Sequence, residues 1–225
     1  MERHFDEELA GLKKDILYEG ALVQGAIFNS IEALQKLDKE DAGKIITDDK
    51  VIDDLEVKIV KTCVDLLALR QPMAIDLRFI TMAMQINTDL ERMGDLAVDI
   101  CQRVLELVDK PLLKPLVDIP KLSVIAQEMT RDVISAFLND DPELAKKVIL
   151  RDNEADNLRN LVQTELINDY MLKNCSSIPR ALPLLLVARH LERICDHATN
   201  IAEDIIYMLQ AKMVKHHSEK LNLDK

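Results

Sequence analysis

The 225-residue sequence contains no tryptophan, three tyrosines, four phenylalanines and only five glycines. A β-sandwich or barrel draws on aromatic and β-branched runs and on glycine-rich turns, so an all-β fold is excluded. Basic charge is also short: 29 Lys and Arg face 40 Asp and Glu, a net −11. That balance argues against a nucleic-acid binder, which carries a basic footprint. No apolar run approaches a membrane span; the longest, Ala181 to Ala188, is short and contains Pro183. The start, Met1-Glu-Arg-His-Phe-Asp-Glu-Glu, is too acidic for a secretory leader. A cytoplasmic protein that does not insert into a membrane is therefore expected. The four cysteines, Cys63, Cys101, Cys175 and Cys195, form no Cys-x-x-Cys pair, which reads as reduced thiols rather than a disulfide framework or zinc knuckle. There is no Gly-x-Ser-x-Gly, no glycine-rich phosphate loop and no Cys–His pair, so no enzyme is expected. A glycosidase would need an aromatic-rich cleft that this composition does not supply.

What is present is helical periodicity. Phe5, Leu9, Leu12, Ile16, Val23, Ile27, Ile31 and Leu34 step along one helix face. Lys39-Glu40-Asp41 interrupts it. A second helix follows through Ile45, Ile52, Leu55, Ile59, Leu66 and Leu69, ended by Gln71-Pro72. The third spans about Met73 to Asp109. Pro111, Pro115 and Pro120 mark a linker. A fourth helix covers about Lys121 to Leu138, and Asp141-Pro142-Glu143 starts a fifth that runs to about Leu172. A break at Asn174–Pro179 precedes a sixth, to about Val214. The residues beyond are polar.

The pattern repeats. At an offset of 103, Ala33-Leu34, Asp49, Asp53 and Leu55 match Ala136-Phe137, Asp152, Asp156 and Leu158. At 101, Leu90-Glu-Arg-Met-Gly-Asp95 matches Leu191-Glu-Arg-Ile-Cys-Asp196. The chain thus reads as all-α, two pseudo-symmetric three-helix bundles of six long helices, each copy large enough for its own core. The units are 1–110 and 111–215, with a frayed polar tail over 216–225. The first 110 residues carry 23 acids and 14 bases, the remainder 17 and 15, so the acidity concentrates in the first copy.

Each third helix carries Glu-x-x-x-Asp: Glu91 and Asp95, extended by Asp99; Glu192 and Asp196, extended by Asn200 and Glu203. Each second helix carries Asp-x-x-x-Asp: Asp49 and Asp53, Asp152 and Asp156. Carboxylates four apart lie one above the other and repel unless a cation intervenes. With Ile86 at zero on a helical wheel, Glu91, Asp95 and Asp99 fall near about 140°, 180° and 220°, away from the apolar stripe. Glu192, Asp196, Asn200 and Glu203 stand likewise opposite Leu191, Ile194, Ala198, Ile201 and Ile205, while Asp49 and Asp53 fall on a flank. A ferritin-like di-iron site needs acids and Glu-x-x-His inside the bundle. The counterparts of His190 and His197 are Asp89 and Leu96, so that site is rejected. A surface cluster between helices two and three would suit hard or borderline cations. The plainer reading is a solvated acidic face, with Arg92 and Arg193 pairing neighbouring acids, His190 and His197 on the helix surface, and the nine methionines as core filler.

Leu90–Asp95, Leu191-Glu-Arg-Ile-Cys-Asp-His-Ala-Thr-Asn-Ile-Ala-Glu203 and Arg70-Gln-Pro-Met-Ala-Ile-Asp-Leu-Arg78 resemble the PhoU family of phosphate-regulation proteins, over about residues 5 to 214. The resemblance implies two three-helix bundles in a cytoplasmic, often homodimeric protein. It implies a negative regulator of phosphate homeostasis and uptake that couples the high-affinity phosphate ABC transporter ATPase to a sensor histidine kinase. It also implies multinuclear clusters of iron, manganese, magnesium or zinc on Asp49, Asp53, Glu91, Asp95, Asp99, Asp152, Asp156, Glu192, Asp196 and Asn200. Cys195 stands where the family often has glycine, as at Gly94. The competing readings are a metal-binding protein or metal-dependent phosphohydrolase using the same acids, and a metal-free helical adaptor.

Overall fold

A computed structural model describes residues 2–214, so the expected tail over 216–225 lies outside the described residues. The described residues form no strand. The helices are α1 (Glu2–Lys36), α2 (Lys39–Asp48), α3 (Lys50–Arg70), α4 (Ala74–Leu107), α5 (Asp118–Asn139), α6 (Pro142–Glu165) and α7 (Ile178–Gln210). α2 and α3 together occupy the place of the expected second helix, which is broken at Asp49. Asp49 keeps right-handed helical angles and its amide still bonds Ile45, so the course bends rather than turns back. Two other boundaries move. α5 begins at Asp118 and takes Pro120 into its first turn, where a proline lacks no needed N–H. α7 ends at Gln210, short of Val214, on left-handed Ala211. The chain past α6 continues as a π-helical turn over Leu166–Met171 and a 3₁₀ turn over Cys175–Ser177.

The repeat is visible in the turns. Leu37 and Asp140 adopt the left-handed conformation and end α1 and α5. One residue on, the amides of Asp38 and Asp141 return to Ala33 and Ala136 at 2.9 Å each. The two Asp side chains then cap the next helix. Asp38 accepts from Glu40 and Asp41, and Asp141 accepts from Glu143 and Leu144, at 2.9–3.0 Å. Both turns satisfy the orphaned groups of two helix ends with one acid.

The most extensive helix pairing is α4 with α7, the third helices of the two halves. α1 also packs on α5, and buried apolar side chains join into one core through both halves. Gly20 marks the α1–α5 crossing: a Cβ there would lie 3.0 Å from Ile134 Cδ1. The connection between halves runs over 108–117. No described helix is long and apolar enough to cross a membrane.

Candidate functional site

Two carboxylate clusters occupy equivalent grooves. In the first half, Asp49 at the α2–α3 bend and Asp53 on α3 face Glu91 and Asp95 on α4. The groove is narrow at Gly94: a Cβ there would stand 3.4 Å from Asp49 Oδ1 and 3.3 Å from Ile52 Cδ1. Burial, then the charges of Asp53 and Asp95, push the Asp49 carboxyl up to about 6. Burial and Asp95 also raise Glu91. In the second half Asp152 and Asp156 on α6 face Glu192 and Asp196 on α7. Burial, then Asp196, Asp156 and Glu192, push Asp152 up to about 6, and burial and Glu192 raise Asp196. Each cluster holds more negative charge than its surroundings neutralise.

Arginines supply part of the compensation, differently in each half. Arg92 lies 3.3 Å from Glu91 Oε2 and 3.0 Å from Asp95 Oδ2, as the plain pairing reading expects. Glu192 corrects the wheel argument. It is 5% exposed, and its Oε1 accepts from Arg159 and Arg189 at 3.0 Å each. Arg159 also lies 3.7 Å from Asp156. Glu192 is buried because α7 packs against α4, α5 and α6, so its circumference is covered well beyond one apolar stripe. Cys195, at the Gly94 position, is fully buried, and burial with the charge of Asp152 pushes its thiol up.

Asp99 and Asn200 do not join their clusters; they face the opposite half across the α4–α7 seam. Asp99 Oδ2 lies 3.7 Å from His190 Nδ1. Asn200 Nδ2 donates to Asp89 Oδ1 at 3.4 Å, and His197 Nδ1 lies 2.7 Å from the same oxygen. The histidines are thus seam residues, not free surface ones. The sequence pattern offered no sign of Asp89 as the partner of His197, because the pairing depends on the angle between two helices a hundred residues apart. Arg159 was missed for the same reason. Among the described residues no three His, Cys, Asp or Glu side chains stand poised around one point as cation ligands. The donor set itself fits a hard cation: it is all carboxylate oxygen, and in each groove burial and then neighbouring carboxylates raise two of the acids.

A family profile described as the PhoU domain matches the chain twice, over residues 17–104 and 119–205. A phosphate-specific transport system accessory protein PhoU homolog of Aquifex aeolicus is 44% identical over 210 residues, 93% of this chain and 95% of that protein. A Thermotoga maritima protein, PhoU homolog 2, is 33% identical over 100% of this chain and 95% of its own length. Crystal structures of PhoU from Pseudomonas aeruginosa and of the phosphate transport system regulatory protein PhoU from Streptococcus pneumoniae superpose with TM-scores of 0.89 and 0.87, each at 32% identity. They cover 92% and 93% of this chain, which in turn covers 100% and 99% of theirs.

Proposed function

The chain belongs to the PhoU family, and on that premise we propose that it is a non-enzymatic, cytoplasmic negative regulator of phosphate uptake. The relatives carry the name of an accessory protein of a phosphate-specific transport system. Coupling of the transporter ATPase to a sensor histidine kinase is the finer reading we adopt. The observation that supports docking is the duplicated carboxylate groove, undercompensated in both halves. Such a surface attracts basic protein faces, directly or through a bound cation. Deleting the gene is expected to switch phosphate-starvation genes on in phosphate-rich medium; a reporter that stays repressed overturns the reading.

Asp49, Asp53, Glu91 and Asp95 in one groove, and Asp152, Asp156, Glu192 and Asp196 in the other, would hold iron, manganese, magnesium or zinc. A cation there supplies the positive charge that the raised acids lack. Asp99 and Asn200 drop out of the ligand set because they serve the seam. Mass spectrometry on protein purified without chelator is expected to find metal that falls in Asp49→Asn/Asp95→Asn and in Asp152→Asn/Asp196→Asn. Metal content unchanged in both variants removes these grooves as its site.

A further inference from the structure

Glu19 of α1 is fully buried, and neither of its carboxylate oxygens has a hydrogen-bond partner. Beside it in the electrostatics of the first half lie Glu56 of α3 and Glu91 of α4. Asn87 of α4 is fully buried too. Its amide nitrogen donates to the Glu56 carbonyl at 3.4 Å, and its Oδ1 has no partner. An ionised carboxylate in such a place is costly unless it is protonated or matched by positive charge. Burial, then Glu56 and Glu91, push the Glu19 carboxyl up to about 9.

The second half shows how the same place is built without that cost. The repeat aligns Glu19 with Leu122, Asn87 with Ala188, Glu56 with Arg159 and Glu91 with Glu192. Leu122 and Ala188 are buried and apolar. Arg159 brings a guanidinium to Glu192. The second half therefore carries its cation on its own chain. The first half lacks that arginine, puts an acid in its place, and adds two buried oxygen-bearing side chains. Two of the differences add negative charge, the third adds an unpartnered amide oxygen, and all the donors are oxygen. Arg92 does not meet the demand: it pairs Glu91 and Asp95 while 55% exposed.

We propose that Glu19, Asn87, Glu56 and Glu91 form a site for one hard divalent cation inside the first half, where Arg159 serves the second. The all-oxygen donor set suits magnesium, manganese or calcium. Glu19 and Asn87 supply the buried donors. Glu56 and Glu91, both half-buried, would swing inward on binding to complete the set. The ion would tie α1, α3 and α4 together. The site shares only Glu91 with the groove cluster and does not rest on that cluster binding metal.

The test uses the full chain, stripped with chelator and carrying Asp49→Asn/Asp95→Asn/Asp152→Asn/Asp196→Asn, so that both grooves are disabled. Manganese is then titrated by calorimetry and by thermal melting. In this background manganese is expected to bind and raise the melting temperature. Adding Glu19→Leu should weaken binding by about tenfold or more and abolish the rise. Adding Glu56→Arg, which copies the second half, should give the cation-loaded melting temperature in chelator and no further rise with manganese. No manganese effect in the background protein overturns the proposal, as does an effect that survives Glu19→Leu. Should Glu19→Leu fail to fold, a manganese effect that survives Glu56→Arg overturns it equally.

Discussion

At the scale of single residues, burial separates groups that the sequence leaves alike. Of four cysteines, Cys63, Cys101 and Cys195 are buried and Cys175 is exposed. Burial pushes the Cys63 and Cys101 thiols up to about 11 and about 12, and Cys195 higher still. Because the thiolate is the reactive species, a maleimide is expected to label Cys175 alone in native protein and all four after denaturation. Mass spectrometry of the labelled chain checks this; rapid native labelling of Cys195 would contradict the packing around α7. The acids titrate differently as well. In chelated protein Asp49 and Asp152 keep protons up to about pH 6, against an ordinary value of 3.8. The folded chain then binds more protons than the unfolded one between about pH 4 and 6. Their contribution to stability therefore falls as pH rises through that window. The difference in melting temperature between pH 4.5 and pH 7 should shrink in Asp49→Asn/Asp152→Asn; an unchanged difference would mean the grooves are already compensated.

At the scale of helices, the periodicity of apolar residues and the repeated Leu-Glu-Arg-x-x-Asp made the main helices legible, and Asp141-Pro142 marked one start outright. Asp141→Ala leaves two α6 amides uncapped and is expected to cost about 1 kcal/mol, read by urea denaturation. A loss of a few tenths or less would mean that water replaces the cap freely. The bend at Asp49 was not legible. No proline or glycine breaks the helix there, and α4 comes close to the bend at Gly94. The inward position of Glu192 was missed for a related reason. A wheel sorts one helix into a dry face and a wet one, whereas α7 has neighbours on several sides. The four acids of each groove were legible by type and spacing. The arginines that answer them came from other helices, and no spacing along the chain announces that.

At the scale of the whole molecule, the two halves depend on each other. α4 loses its main partner if α7 is removed, and α1 loses α5. Residues 1–110 expressed alone are expected to aggregate or to lack a cooperative melting transition. Co-expression with residues 111–225 should recover a one-to-one complex, measured by size exclusion with light scattering. A stable, monomeric half with a sharp transition would show that the shared core is dispensable.

The seam carries one more consequence. Asp89 and His190 occupy equivalent positions, as do Asp99 and Asn200, and each residue meets the other half's non-equivalent partner. If two first halves paired by the same two-fold operation, Asp89 would face Asp99, twice, acid against acid. Two second halves would set His190 against Asn200 and leave no carboxylate opposite either histidine. Only the mixed pairing places an acid opposite each histidine. The halves have thus diverged into lock and key along one interface, and their covalent fusion guarantees that each finds the only mate whose charges agree with its own.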